Sequence, residues 1–467
     1  MGLFSRISRF YSISAPQPPF EDTTTPDGER RYKRLAFESF IAATLGYSLY
    51  YVCRTSLNVM KKPIIDSGVL DASDLGDIGS ALLFTYAIGK FVNGFICDYC
   101  NIKRFMATGL VVSLIANLAM GLCGMATTFI PTSVIFICFA ILWGANGWVQ
   151  SMGAPPAIIS LSRWFPLSRR GTFYGIFSAS HNIGEFLSFL FVGLIVSAAG
   201  WQWGFVGSAV AGVVGVVLIL RFMHDTPESK GLPPIEQIAG ERQRKQGESV
   251  RDIQRQVIRM PAVWILAAAS AFMYMSRYAI NGWGILYLQE AKGMSDATAI
   301  SIISINALLG VFGTVLSGWF SDSLFKGDRR WPALIFGLLN SVALALFLYG
   351  GDAVWVNILA MVLFGVAIGV LICFLGGLMA VDIVPRKATG TALGIVGIAS
   401  YIAAGVQDMV SGWLINDNTT LTATGDKQYD FTAVGIFWLV ASVISFLLPL
   451  ANWHRKAEEV ECNKEGV

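Results

Sequence analysis

Long apolar runs, broken by short polar and charged stretches, dominate the pattern along the chain. About 20 predominantly apolar residues suffice for a helix to cross a bilayer, and helices apolar all round are what membrane burial produces. The runs predict six helices near 36–58, 76–97, 105–125, 131–154, 171–198 and 203–223, and six more near 261–289, 297–320, 332–350, 353–382, 390–416 and 430–452. The longest polar break, 224–260, contains EQIAGERQRKQGESVRD and reads as a linker, partly helical by propensity. It separates two six-helix halves, 36–223 and 261–452, flanked by a polar arm at 1–35 and a tail at 453–467. The arm is rich in Ser, Pro and Thr from Ser12 to Thr25 and has no apolar segment followed by a small-residue cleavage site. It is read as a retained cytoplasmic arm, disordered in part.

Composition agrees with this pattern. Of the 467 residues 54% are hydrophobic and 14% charged, against about 25% charged in an ordinary soluble domain. A soluble globular protein is excluded, and no separate soluble domain fits. The net charge of +3 is too small to argue for nucleic acid. The seven cysteines lie mostly inside apolar runs, and Cys97 with Cys100 has no second pair or histidine to complete a metal site. Lys and Arg set the orientation, because cytoplasmic loops hold them in excess. Arg6, Arg9, Arg30, Arg31, Lys33 and Arg34 in the arm, then Lys103, Arg104, Arg163, Arg169, Arg170, Lys326, Arg329, Arg330, Arg386 and Lys387 in the even-numbered connections, all fall on one side. The odd-numbered connections are nearly bare by comparison, with Lys61, Lys62, Lys292 and Lys427 as the exceptions, so both termini are expected in the cytoplasm.

The halves repeat each other, as in transporters built from repeats around a midplane site. GFICDYCNIKR after the second run matches GWFSDSLFKGDRR after the eighth, so that Gly94, Asp98 and Arg104 correspond to Gly318, Asp322 and Arg330. GTFYGI at 171–176 likewise matches GTALGI at 390–395. Ionisable residues inside apolar runs are costly and by default functional; they are Arg54, Lys90, His181, Glu185, Arg277, Asp382 and Asp408. Arg54 in YSLYYVCRTSLN and Arg277 in FMYMSRYAINGW are 223 residues apart and occupy equivalent places in the repeats. Two arginines facing each other across a two-fold axis repel unless an anion lies between them, and the planar donor fork of arginine suits phosphate. Lys90 and His181 would add donors to the same cavity. Tyr47, Tyr50, Tyr51 and Tyr274 flank the arginines, one or two of them only packing.

The repeated G-x-x-x-D followed by basic residues resembles the loop signature of the major facilitator superfamily. That resemblance implies an all-α membrane protein with the major facilitator fold, twelve transmembrane helices in two pseudo-symmetric six-helix halves, and a cytoplasmic latch built on Gly94, Asp98, Arg104, Gly318, Asp322 and Arg330. More narrowly, TYAIGKFVNGFICD, SRWFPLSRRGTFYGIFSASHNIG, HDTPESKGLPPIE, YMSRYAINGW and PRKATGTALGIVG are similar to the organophosphate:phosphate antiporters, which include glycerol-3-phosphate and hexose-phosphate transporters and a related sugar-phosphate sensor. By this resemblance Arg54 and Arg277 bind the phosphoryl group, Lys90 and His181 assist, and a rocker-switch cycle exchanges organophosphate for inorganic phosphate. The pattern departs from the family at Leu393 and Val396, where hexose-phosphate transporters have an Asp and a Lys, at Asn306 and Ala307, where a glutamate is usual, and at the added acids Glu185 and Asp408.

Two other readings accompany exchange: a sensor of the same fold working with a membrane histidine kinase, and proton-coupled symport through Glu185, Asp382 and Asp408. No nucleophile, metal cluster or phosphate-cradling Gly-rich loop points to an enzyme, and no cofactor is implied. The expected partners are a small organophosphate, inorganic phosphate and the bilayer of a bacterial inner membrane, with the protein monomeric.

Overall fold

A computed structural model describes residues 3–239, 255–319, 325, 329–384, 389–421 and 427–452, and the chain is helical almost throughout. The two strands among the described residues, Thr419–Leu421 and Lys427–Tyr429, form one antiparallel hairpin. Eleven described helices are long and apolar enough to cross a membrane: Ala72–Gly94, Ile102–Met125, Thr132–Trp164, Ile176–Ala199, Trp201–Phe222, Pro261–Glu290, Asp296–Ser317, Arg330–Tyr349, Val354–Gly376, Thr391–Asp417 and Thr432–Ala451. The helix Pro26–Asp66 makes twelve. Tyr47, Ser48, Tyr50, Tyr51, Arg54, Thr55 and Ser56 dilute the apolar character of its middle, within the run read at 36–58.

Two of the expected spans are not simple rods. The fifth is assembled from Leu167–Ser178, Ser180–Leu187, a π-helical turn at Ser188–Val192, and Gly193–Ala199. In the tenth, a π turn at Phe374–Leu378 follows the helix Val354–Cys373. Such turns widen the backbone ring and recur at functional sites. The reversal from Gly193–Ala199 into Trp201–Phe222 is made by one residue, Gly200 at φ +93°, a conformation that a side chain would strain.

The helices gather into two compact units, residues 1–60 with 88–246, and residues 61–87 with 247–467. Residues 61–87 precede the linker in sequence yet pack with the second unit, so Pro26–Asp66 and Ala72–Asp98 each contribute to both.

In the first unit the arm is ordered, where its composition suggested disorder. After the helix Leu3–Tyr11, Tyr11 Oη donates to Thr108 Oγ1 (2.9 Å) and Ser12 bridges to Cys100. The backbone N–H of Gln17 donates to Glu228 O (2.9 Å) and that of Glu21 to Gly231 O (2.8 Å). Acceptors far along the chain thus take the donors that a Ser/Pro/Thr-rich stretch otherwise leaves to water. The centre of this strap is Asp225. Its buried carboxylate accepts from the N–H of Ser14 (2.7 Å), the N–H of Ile102 (3.0 Å) and Arg163 Nη1 (2.6 Å).

Charge-assisted hydrogen bonds contribute about 1.5–3 kcal/mol each. Asp225→Asn keeps the shape but loses the charge, so the variant should lose on the order of 2–3 kcal/mol and melt at lower temperature in detergent. An unchanged melting temperature would show that the arm is held by other contacts.

Candidate functional site

In the first unit the candidate residues converge on one stretch of the helix Pro26–Asp66. Arg54 is 5% exposed, and its guanidinium carbon lies 5.2 Å from the centroid of the Tyr51 ring. Tyr51 also neighbours His181, with ring centroids 5.9 Å apart. The helix carrying His181 comes this close because Gly184 has no side chain: a Cβ there would collide with Ser48 O and Tyr51 Cβ. Ser48 Oγ meanwhile donates to Ser180 O (2.9 Å), one residue before the histidine. Glu185, one turn beyond His181, is buried.

The tyrosines divide. Tyr47 stacks on Phe177 at 5.4 Å and meets Tyr51 edge-on. Tyr50 is fully buried and its hydroxyl donates to Met106 O, so it belongs to the packing of the unit. Lys90, half-buried, belongs to the same unit; the neighbouring Gly89 abuts Trp148 O and Ser151.

A buried amide network fixes the backbone beneath Arg54. Asn117 Nδ2 (2.9 Å) and Asn146 Nδ2 (3.1 Å) both donate to the carbonyl of Cys53, the residue before the arginine. Ser113, Gln150 and Ser56 complete the network, with Ser113 Oγ donating to Asn146 Oδ1 at 2.6 Å.

The second unit repeats the device around Arg277, which is 2% exposed. Asn340 Nδ2 donates to Ser276 Oγ (3.2 Å), on the residue before this arginine, and to Ser442 Oγ (2.8 Å). Asn117 and Asn340 are separated by the same 223 residues as the two arginines. The guanidinium carbon of Arg277 lies 5.7 Å from the Tyr278 ring, and Tyr278 stacks with Tyr274 at 6.1 Å. Tyr401 packs edge-on to Tyr274 (5.3 Å) and lies 4.5 Å from Tyr86. Asn306, standing where a glutamate is usual, donates to Asn281 Oδ1 (3.1 Å).

An internal ion pair in this unit was not anticipated. Lys61 is 1% exposed, and its Nζ lies 2.6 Å from Asp408 Oδ1 and 3.6 Å from the centroid of the Trp283 ring. Glycines make room for it: a Cβ at Gly79 would fall on the Asp408 carboxylate, and one at Gly282 would lie 3.3 Å from Oδ1. The sequence reading put Lys61 in an outer connection and left Asp408 as a possible proton carrier. Its neighbour Lys62 reaches Glu290 and Asp66, at 2.6 and 2.7 Å.

A model of the major facilitator superfamily matches residues 43–407. The chain belongs to the major facilitator superfamily. It is 33% identical to a probable hexose phosphate transport protein of Chlamydia pneumoniae, over 83% of this chain and 88% of that one. It is 31% identical to the glycerol-3-phosphate transporter of Bacillus subtilis, over 96% and 100% of the two chains. A membrane sensor protein, UhpC, of Salmonella typhimurium is 32% identical over 86% of this chain and 89% of its own. Neither the superfamily nor these relatives are enzymes, and the protein crosses the membrane several times.

Of the latch residues expected from the superfamily signature, Gly94 has open space where a Cβ would stand. The side chain of Asp98 lies outside the described residues, as does Asp322; Gly318 falls near the end of the helix Asp296–Trp319. Arg330 opens the helix Arg330–Tyr349. Arg104 is engaged by the arm, donating to Phe10 O (2.7 Å) with its guanidinium carbon 5.0 Å from the Phe10 ring. Asp225, within the HDTPESKGLPPIE segment that carried the family likeness, receives Arg163.

Removing one member of a buried ion pair costs about 3–5 kcal/mol, whereas replacing both by apolar groups is often neutral. Asp408→Asn should therefore melt well below the parent protein, and Lys61→Met with Asp408→Leu should recover most of the loss. Equal melting temperatures for the parent and Asp408→Asn would mean that the pair contributes nothing.

Proposed function

We propose that the protein exchanges a small organophosphate, glycerol 3-phosphate or a sugar phosphate, for inorganic phosphate by alternating access in a bacterial inner membrane, with both termini cytoplasmic. The observation that carries this reading is the pair of buried arginines, Arg54 and Arg277, each set in its repeat above an asparagine that fixes the preceding residue. A guanidinium buried among aromatic rings in a spanning helix has a large desolvation cost, which binding of an anion offsets. Its planar fork meets two phosphoryl oxygens at once. The hexose-phosphate and glycerol-3-phosphate relatives support a phosphoryl substrate.

In this reading Arg54 and Arg277 both recognise the phosphoryl group, Lys90 and His181 supply further donors, and Tyr47, Tyr51 and Tyr274 shape the surroundings of the organic moiety. Gly94, Asp98, Arg104, Gly318, Asp322 and Arg330 serve the cytoplasmic latch, and the protein acts as a monomer. A second reading is favoured by the likeness to the sensor protein: the same residues bind sugar phosphate and signal to a histidine kinase. Flux separates the two, because a sensor binds without exchanging.

Proteoliposomes loaded with phosphate should take up labelled organophosphate, and phosphate-free vesicles should not. Arg54→Lys or Arg277→Lys keeps the charge and loses the fork, so apparent phosphate affinity should fall about tenfold or more. Equal uptake into loaded and empty vesicles would sink the exchange mechanism, and unchanged affinity in either variant would remove that arginine from the site.

A further inference from the structure

The ordered arm roofs a cavity apart from the proposed substrate site, sharing only Arg104 with the proposed latch. Residues 12–17, the helix start Asn101–Arg104 and residues of the segment 223–230 enclose about 480 Å³, the size of a small-ligand site. Three cations line it, Lys103, Arg104 and Lys230. The one acid in its lining, Asp225, is committed to Arg163 and to the N–H groups of Ser14 and Ile102. Arg104 gives one N–H to Phe10 O. Among the described residues the ammonium groups of Lys103 and Lys230 have no ion-pair or hydrogen-bond partner, and Lys103 stands within electrostatic reach of Lys230, Arg104 and Arg221. Half-buried like charges held together are unfavourable until an anion compensates them.

His224 gives the cavity a second kind of group. It is 8% exposed, its Nε2 lies 3.1 Å from Glu38 Oε2, and its Nδ1 is buried with no hydrogen-bond partner among the described residues. Burial, helped by Lys230 and Lys103, holds the imidazole below its ordinary range against the pull of Glu38. A neutral ring that donates through Nε2 to Glu38 adds no charge to the cavity.

We propose that this cavity is a binding site, separate from Arg54 and Arg277, for a phosphoryl anion, whose oxygens Lys103, Arg104 and Lys230 take. Hydrogen phosphate and phosphate monoesters of polyols have this chemistry, and so does the headgroup of phosphatidylglycerol. The site stands whether or not the protein exchanges organophosphates.

The test uses the purified full chain. Acylation of Lys103 and Lys230 by an amine reagent, read by peptide mass spectrometry, is compared with and without inorganic phosphate in detergent, and in nanodiscs of phosphatidylcholine with and without phosphatidylglycerol. Protection by phosphate assigns a soluble ligand, and protection by phosphatidylglycerol assigns a lipid; in both cases the exposed Lys427 should react unchanged. A second measurement removes the transport arginines: in protein carrying Arg54→Lys and Arg277→Lys, adding Lys103→Gln and Lys230→Gln should weaken residual binding of phosphate or phosphatidylglycerol about tenfold. Unchanged acylation in both arms, or unchanged binding in the quadruple variant, would overturn the proposal.

Discussion

A formal charge inside a bilayer must be matched, and the charges of this chain are arranged under that constraint. Its cost leaves only three outcomes for an ionisable side chain within a spanning helix: permanent pairing, shelter among polar and aromatic groups, or compensation by a ligand. Lys61 and Asp408 take the first, at 2.6 Å in a space that Gly79 and Gly282 keep open. Arg54 and Arg277 lie beside Tyr51 and Tyr278, where a π face lowers the cost of a cation without neutralising it. The Lys61–Asp408 pair is structural charge. A pair that satisfies itself needs nothing from outside.

The amide networks follow from the same constraint. A guanidinium that must meet an anion with two oxygens at once tolerates little displacement of its backbone. Asn117 and Asn146 converge on Cys53 O, and Asn340 bonds the side chain of Ser276, so each arginine stands on a helix pinned one residue upstream. Asn117 is satisfied at both ends, by Ser56 and by Cys53 O, whereas Asn340 donates to Ser276 and Ser442 and leaves its Oδ1 without a partner among the described residues. The two halves thus echo each other in their supporting residues as well as in their arginines.

The spans, the repeat and the two arginines were legible in the sequence because each depends on local composition or on a fixed offset. The Lys61–Asp408 pair was not. Its members are 347 residues apart, and an apolar run with one acid looks the same whether the acid is paired or catalytic. Lys61 was also hidden by its place at the end of a run, where a lysine usually reaches water. The arm failed for a different reason. Ser, Pro and Thr predict poor self-association, but the donors of Ser14, Gln17 and Glu21 are taken by Asp225, Glu228 and Gly231, which a one-dimensional reading cannot bring near. Tyr50 shows the converse: spacing set it beside Arg54, while the bond to Met106 O turned it into the core.

The pairing of Asp408 also bears on energy coupling. A carboxylate that carries protons in a transport cycle must meet water in one state and shed its counter-charge in another. Asp408 has a fully buried ammonium partner, a Trp283 ring covering that ammonium, and glycine backbone on its other side, so protonating it would strand Lys61 as an uncompensated buried cation. Exchange of one phosphoryl anion for another requires no such step. The constraint that locks Asp408 into structure therefore argues against a proton carrier at this position.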